Sequence, residues 1–199
     1  MRRAAPPRIG GHVEALVTAL RRRVGPDVEL MLDFGGGLAA DQLYGVLDRL
    51  APLDVRFIEE PVDPALPHML AEVGRRTRIP LAAGERVYGR YGFRTLLETG
   101  AIAIAQPDVC NTGGLSEARR IAALAEIYNA RVAPHNYGTT LATVAAAQLA
   151  ACIPNFMVLE SFPDFDSEPG YRPVLRRPLE ARIRDGMMRR SSDAAVEPP

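Results

Sequence analysis

Six polar side chains stand just past the end of six short apolar runs, and this placement limits the folds open to the chain. They are Asp33, Glu59, Glu85, Asp108, His135 and Glu160. The first three are 26 positions apart. Because short apolar runs bounded by polar and turn-forming residues are typical of buried strands, the sequence predicts six strands, each followed by an acidic or imidazole group. The predicted strands span 29–32, 55–58, 79–83, 101–107, 131–134 and 156–159.

Segments with the period of an amphipathic helix separate these runs. Val13, Leu16, Val17 and Leu20, for example, fall at i, i+3, i+4 and i+7. The predicted helices span 13–24, 39–50, 64–75, 91–98, 116–128 and 140–153. Strands joined by helical crossovers form a parallel sheet, and their even spacing favours a barrel over an open doubly wound sheet.

The predicted fold is therefore α/β, a TIM-like (β/α) barrel that is incomplete. Eight β/α units typically need ~250 residues, whereas this chain has 199. We expect about six of the eight units, with the first strands missing. Residues 1–182 are predicted to form this partial barrel domain, and residues 183–199 a disordered C-terminal tail, because the end of the chain has too little apolar surface to offset its ordering entropy.

Charge and composition narrow the range of partners. The chain has 24 basic and 24 acidic side chains, so no excess charge favours nucleic acid or an anionic membrane. All the basic residues are arginine, which excludes a lysine base or Schiff base from this chain. Cys110 and Cys152 lie in apolar stretches without CxxC spacing and are predicted to be reduced core residues. Without a signal-peptide pattern or an apolar run of membrane-spanning length, the predicted location is cytoplasmic.

The strand-end carboxylates are candidates for a metal site. In a barrel all parallel strands point the same way, so the side chains at their C-terminal ends converge on one mouth. Asp33, Glu59 and Glu85 would present three oxygen ligands there, which suits a hard divalent cation such as Mg²⁺. The alternative is that each acid is a helix cap or a solvated loop charge. Glu59 keeps the interval, so the adjacent Glu60 is predicted to be an outer-shell or loop carboxylate.

Asp108 and His135 end successive predicted strands and form a second candidate group. An Asp at this position would accept the Nδ1 proton of the imidazole, fix its tautomer and raise the basicity of Nε2. Nε2 could then remove a proton from a substrate. The other histidines, His12 and His68, fall on predicted helices and are expected at the surface.

Two further features are weaker. Arg86 and Arg90 follow the third predicted strand, where guanidinium groups could bind a substrate carboxylate; solvated surface arginines are the alternative. Two glycine runs, 35–37 and 113–114, fit neither GxGxxG nor GxxxxGK and are better explained as tight strand-to-helix turns.

Taken together, these motifs resemble the enolase superfamily, specifically its mandelate racemase/muconate lactonizing enzyme type and the acid-sugar dehydratase group. The motifs are Ile58-Glu59-Glu60-Pro61, Ala83-Gly84-Glu85-Arg86, Gln106-Pro107-Asp108, Gly113-Gly114 and Pro134-His135-Asn136. The resemblance implies that Asp33, Glu59 and Glu85 bind Mg²⁺. It also implies that His135 is the base and that Asp108 is its partner.

By the same resemblance, Glu160 donates to the substrate carboxylate or enolate. Asn136 and Arg86 are predicted to bind substrate. The chemistry implied is abstraction of the proton α to a carboxylate through an enediolate that the metal stabilises. Family members begin with a capping domain that closes over the mouth, and in 199 residues we expect no room for one. The family's Asp-x-Asn or Asp-x-His is here Asp33-Phe34-Gly35, so a general acid sometimes found at the third position is lost.

The predicted activity is dehydration of a hydroxy or sugar acid, similar to that of a galactonate dehydratase. Dehydration is favoured over racemisation because one His–Asp pair suffices for elimination, whereas two-base racemisation needs a second base on the opposite face. A racemase or epimerase of the mandelate racemase kind is an alternative. Another is a catalytically inactive fragment that needs a partner chain to complete its sheet. Family resemblance also suggests a homo-oligomer.

Overall fold

The computed structural model describes residues 9–161 and 183–188, and these fall into two compact units. The first contains residues 9–83 and 94–104, and the second contains 84–93, 105–161 and 183–188. In chain order the elements are α1 Ile9–Val24, β1 Leu30–Asp33, α2 Ala40–Leu50, β2 Val55–Glu59, α3 Pro67–Arg76, β3 Leu81–Ala83, α4 Gly89–Glu98, β4 Ile102–Ala105, α5 Leu115–Ile127, β5 Arg131–Val132, α6 Thr140–Cys152, β6 Ile183–Arg184 and β7 Met187–Met188.

The first unit is built on strands β1 to β4, which lie side by side in chain order. β1 pairs with β2 and β2 with β3, both in parallel. Helix α2 covers the sheet with apolar side chains at i, i+3, i+4 and i+7, the stripe that the sequence predicts. These buried residues are Leu43, Val46, Leu47 and Leu50. Glycines 35 and 36 have φ of +54° and +67°, so this run is the tight turn expected after β1.

The second unit carries β5 between two partners. The amide of Ala133, just past β5, donates to the carbonyl of Ala105 at 3.0 Å. On the other side, Val132 forms a parallel bridge with Phe156. Helix α5 buries Ala118 and Ile121 among its inward-facing residues, as its helical period predicts.

The predicted strand over 156–159 is wrong beyond its first residue. Phe156 bridges to Val132, and the amide of Met157 donates to the carbonyl of Val132 at 2.8 Å. Further along, the carbonyl of Glu160 accepts a hydrogen bond from the side chain of Asn136 instead of from a strand. Pro134, two residues past Val132, has no backbone N–H to continue the ladder, and no regular strand is formed over 157–159.

Two other expectations need correction. Residues 183–188, placed in the disordered tail by the sequence, form the hairpin β6–β7, since Asp185 and Gly186 have φ of +53° and +70° as a two-residue turn of type I′ requires. Residues 189–199 of that tail lie outside the described residues. Cys110 and Cys152 are unpaired thiols as predicted, yet both are exposed, because one begins a loop turn and the other ends α6.

Candidate active site

The imidazole of His135 is the centre of a polar cluster in the second unit. Its side chain is only 15% exposed, and its Nδ1 lies 2.7 Å from Oδ2 of Asp108. His135 follows β5 and Asp108 follows β4, so the two members of the pair come after the ends of successive strands. The contact has the geometry in which the carboxylate accepts the Nδ1 proton and fixes the ring.

Asp108 is itself held in a fixed orientation. Its Oδ1 accepts the backbone N–H groups of Cys110 at 2.6 Å and Asn111 at 3.0 Å, while Oδ2 faces the imidazole. Burial alone would raise the pKa of Asp108, but the hydrogen bonds from His135 and from these two amides lower it below its ordinary value. Asp108 is therefore ionised at neutral pH. The turn that supplies the amides ends at Gly113, whose φ is +110°.

Two more carboxylates face the other ring nitrogen. Nε2 of His135 lies 2.9 Å from Oε2 of Glu85 and 3.9 Å from Oε2 of Glu160. Burial lowers the pKa of His135, but the hydrogen bond with Asp108 and the negative charges of Glu160, Glu85 and Asp108 outweigh it and raise this pKa from 6.5 to about 9. In this arrangement the imidazolium form is strongly favoured.

The loop that carries Glu85 is shaped by two contacts. Gly84 has φ of +141°, and a Cβ there would lie 2.7 Å from the ring of Phe93, so only glycine fits. Beyond the loop, Oε1 of Glu117 accepts the backbone N–H of Arg90 in the first turn of α4 at 2.9 Å. Glu117 thus caps a neighbouring helix, and this hydrogen bond is the main reason that its pKa is lowered.

Asn136 is buried, with 3% of its surface exposed. Its backbone N–H donates to Oε2 of Glu160 at 2.7 Å. Its side-chain Nδ2 donates to Oγ1 of Thr143 at 2.9 Å and to the carbonyl of Glu160 at 3.1 Å. Direct substrate binding by Asn136, which the sequence suggests, stays a prediction. Sequence reasoning missed Thr143, because nothing distinguishes it from other threonines of α6.

The rim arginines have acidic neighbours. Nε of Arg86 lies 3.7 Å from Oε1 of Glu85, and the Arg86 side chain is 42% exposed. Arg90 has its guanidinium 3.5 Å from Glu117 and over the ring of Tyr91. Arg86 therefore combines exposure with a position next to the cluster, while its role in substrate binding stays a prediction.

In the first unit, Asp33 and Glu59 occupy paired positions at the ends of β1 and β2. Asp33 is exposed, and its Oδ1 accepts the amide of Gly35 at 2.7 Å. Glu59 is 9% exposed. Glu60 is fully buried and its amide donates to the carbonyl of Ala82, so it is not a solvated loop charge.

A metal site is not assembled in the part of the chain that the structure describes. Within those residues, no three His, Cys, Asp or Glu side chains are grouped so that they could hold an ion. The chemistry of the predicted donors does fit a hard divalent cation, because Asp33, Glu59 and Glu85 offer only carboxylate oxygens. Their role as ligands stays a prediction. His12 and His68, in contrast, lie exposed on helices, as expected.

A parallel α/β fold with a buried His–Asp pair and flanking carboxylates after its strands defines an enzyme domain built for acid–base chemistry. The Enolase C-terminal domain-like family model matches residues 8–194, so the chain belongs to that family. The predicted membership of the enolase superfamily is thereby confirmed. None of the described helices has the length and apolarity needed to cross a membrane.

Similar proteins agree with this assignment. D-Galactarolactone cycloisomerase of Agrobacterium fabrum is 38% identical over 83% of this chain and 46% of its own length. D-Galactonate dehydratase of Variovorax paradoxus is 42% identical over 74% of this chain and 37% of its own. The crystal structure of a candidate dehydratase from Mesorhizobium loti superimposes with a TM-score of 0.83 at 42% identity, over 89% of this chain and 47% of that one.

The chain thus spans less than half the length of these relatives. The predicted fold class, a partial α/β barrel of the enolase type, is confirmed by the parallel strands, the alternating helices and this partial overlap with a solved relative.

Proposed function

We propose that this chain contributes an acid–base site for the dehydration of a hydroxy or sugar acid, with the proton α to the carboxylate removed first. The observation that carries the proposal is the imidazole of His135, held by Asp108 at Nδ1 and directed by Nε2 at the carboxylates of Glu85 and Glu160. Relatives named as a D-galactonate dehydratase and a D-galactarolactone cycloisomerase support a sugar-acid substrate.

In this proposal Nε2 of neutral His135 takes the α-proton of the substrate, while Asp108 stabilises the imidazolium that forms. The electron pair of the broken C–H bond is first held as the enediolate of the substrate carboxylate, and it forms the Cα=Cβ double bond only as the β-hydroxyl departs. The β-hydroxyl then leaves with the proton from Nε2, so that water is released and His135 is neutral again. Glu160, whose Oε2 lies 3.9 Å from Nε2, faces the same reacting proton.

Mg²⁺ is the proposed cofactor, and its proposed ligands are Asp33, Glu59 and Glu85. A bound divalent cation would stabilise the negative charge that develops on a substrate carboxylate in the transition state. This stabilisation amounts to ~5 kcal/mol. Arg86 is the proposed partner of the substrate carboxylate itself, because it is exposed beside Glu85. Residues 1–182 are the proposed catalytic domain, and the cytoplasm is the proposed location.

The test is exchange of the substrate α-hydrogen with deuterium from solvent, followed by NMR with D-galactonate and other sugar acids in the presence of Mg²⁺. We expect exchange in the wild type and none in His135→Asn. His68→Asn, on the exposed face of α3, is the matched control and should exchange normally. A wild type that exchanges none of these acids, or a His135→Asn variant that still does, would refute the proposal.

Metal binding is tested separately by calorimetry. Wild-type protein should bind Mg²⁺, and Glu59→Gln should not. The control is Glu72→Gln, which removes an exposed carboxylate paired with Arg76 on α3 and leaves the proposed ligands intact. Equal Mg²⁺ binding by the wild type and by Glu59→Gln would remove Glu59 from the ligand set.

A racemase or epimerase is the second enzymatic candidate, and the same exchange experiment separates it from a dehydratase. A dehydratase converts the exchanged acid to a keto acid with loss of water, whereas a racemase returns the deuterated acid in the opposite configuration. One His–Asp pair in the second unit supports elimination, because the described residues of that unit include no second histidine.

A partner chain is the remaining candidate, and the edge of β1 favours it. Among the strands that the structure describes, β1 stands at the end of the order; Met31 on β1 is 41% exposed, and Val28 just before it is 47% exposed. An unpaired apolar edge is a template for another strand. Light scattering on the purified chain would show whether it self-associates. A monomer with an intact exchange reaction would argue against any need for a partner.

A further inference from the structure

Asn136 contacts both the side chain and the backbone of Glu160. The backbone N–H of Asn136 donates to the Glu160 carboxylate at 2.7 Å, and its side-chain Nδ2 donates to the Glu160 carbonyl at 3.1 Å. The same Nδ2 also donates to Oγ1 of Thr143, which is fully buried on α6. The Asn136 side chain therefore ties the backbone of Glu160 to a rigid helix.

The Glu160 carboxylate oxygen that accepts the backbone N–H of Asn136 is also the one nearest to the imidazole. Oε2 of Glu160 accepts the Asn136 amide and lies 3.9 Å from Nε2 of His135. Glu160 follows a single bridge residue rather than a regular strand, so the sheet does little to fix it. The orientation of Glu160 beside His135 accordingly depends on contacts from residue 136.

The direction of the Asn136 amide group follows from its partners. A carbonyl oxygen such as that of Glu160 accepts only, so Nδ2 must face it. Oδ1 then remains buried without a hydrogen-bond partner among the described residues. Both hydrogen bonds of the Asn136 side chain therefore run through Nδ2, and an apolar side chain of similar size would leave the Glu160 carbonyl and Thr143 Oγ1 without this donor.

We propose that Asn136 is a positioning residue, whose buried side chain holds Glu160 so that its carboxylate stays directed at Nε2 of His135. The proposal rests on the proposed function, in which Glu160 faces the reacting proton. It assigns Asn136 an indirect role through Glu160, in place of the direct substrate contact that the sequence suggests.

The first test needs no activity, because the amide proton of residue 136 reports on the position of the Glu160 carboxylate. We expect its protection from hydrogen exchange, measured by NMR and corrected for intrinsic rate, to fall about tenfold in Asn136→Ala. Thr143→Val should lower it in the same direction, and Thr143→Ser, which keeps the acceptor, should restore it. Unchanged protection in Asn136→Ala would overturn the proposal.

Asn155→Ala is the matched control. Asn155 also uses Nδ2 to bond two backbone carbonyls, those of Ala122 and Ala130, but it contacts neither Glu160 nor His135. It should lower protection across the unit without a selective effect on amide 136. If Asn155→Ala lowered the protection of amide 136 as selectively as Asn136→Ala does, the role of Asn136 would be merely structural and the proposal would fail.

The second test uses the α-hydrogen exchange reaction. Asn136→Ala should lower kcat about tenfold or more and leave KM within about twofold, whereas Asn155→Ala should leave both unchanged at a temperature where it is folded. Equal kcat values for Asn136→Ala and the wild type would overturn the proposal. A wild type without any exchange would refute the proposed function, and the amide protection of residue 136 would still decide whether it positions Glu160.

Discussion

Replacing Asp108 with asparagine should change the pKa of His135 and, through it, the pH dependence of stability. In the wild type, burial works against protonation of His135, but the hydrogen bond with Asp108 and the charges of Glu160, Glu85 and Asp108 raise this pKa from 6.5 to about 9. Asparagine can still accept the Nδ1 proton, yet it carries no charge. The pKa of His135 should therefore fall well below 9 in Asp108→Asn.

The size of the effect follows from the shift itself. One pKa unit corresponds to ~1.4 kcal/mol, so the rise of His135 from 6.5 to about 9 represents about 3 kcal/mol in favour of the folded, protonated state. Because the folded pKa lies above the unfolded one, this contribution is complete below pH 6.5 and is lost as the pH rises through about 9. Metal-free wild type should thus become less stable across that interval.

The assay is urea unfolding with a chelator present, at several values between pH 6 and pH 9.5, combined with an NMR titration of the His135 ring. We expect the free energy of unfolding to fall with pH in the wild type and to vary much less in Asp108→Asn. His135→Asn identifies the ring signal. A wild-type His135 that titrates near 6.5, or an Asp108→Asn variant with the full wild-type pH dependence, would refute the electrostatic argument.

Two further predictions concern the loop beside the cluster. Gly84→Ala should destabilise the protein by about 3 kcal/mol, because its φ is +141° and the added Cβ would lie 2.7 Å from the Phe93 ring; urea unfolding measures this, and a loss below about 1 kcal/mol would contradict it. Glu117 has its pKa lowered, mainly by the amide of Arg90, so its contribution to stability is present above its ordinary pKa and is lost on acidification. The melting temperature of Glu117→Gln should accordingly fall less than that of wild type between pH 5 and pH 3, and equal falls would count against this contact.

The strand ends could be predicted from the sequence because apolar runs and polar breaks are local signals. β3 to β5 lie within the predicted runs, β1 and β2 each end one residue past theirs, and helix α2 differs from its prediction by one residue. The sixth predicted strand failed for a non-local reason. Its run of apolar residues fits a strand, but the neighbouring segment carries Pro134, which has no N–H to continue the ladder beyond the bridge between Val132 and Phe156.

The candidate site was predictable only in part. The order of Asp108 and His135 after successive strands indicated that they would meet, and their contact at 2.7 Å agrees with that geometry. The contact between Nε2 and Glu85 at 2.9 Å could not be predicted from the sequence, because rotamers are set by packing within the folded unit. Glu117 was also missed as a cap of α4, because helix caps are normally sought next to their own helix.

The charge around His135 leads to a final prediction. A base must be neutral before it can accept a proton, and a pKa of about 9 leaves only about one imidazole in a hundred neutral at pH 7. Offsetting the charge of Glu85, which lies 2.9 Å from Nε2, would remove one of the causes that raise this pKa. If Glu85 is a cation ligand, titration with Mg²⁺ should lower the pKa of His135 in the NMR experiment, whereas Na⁺ at equal ionic strength should not. A pKa that stays the same at Mg²⁺ concentrations that saturate the calorimetric signal would exclude Glu85 from the ligands and leave His135 better suited to donate a proton than to remove one.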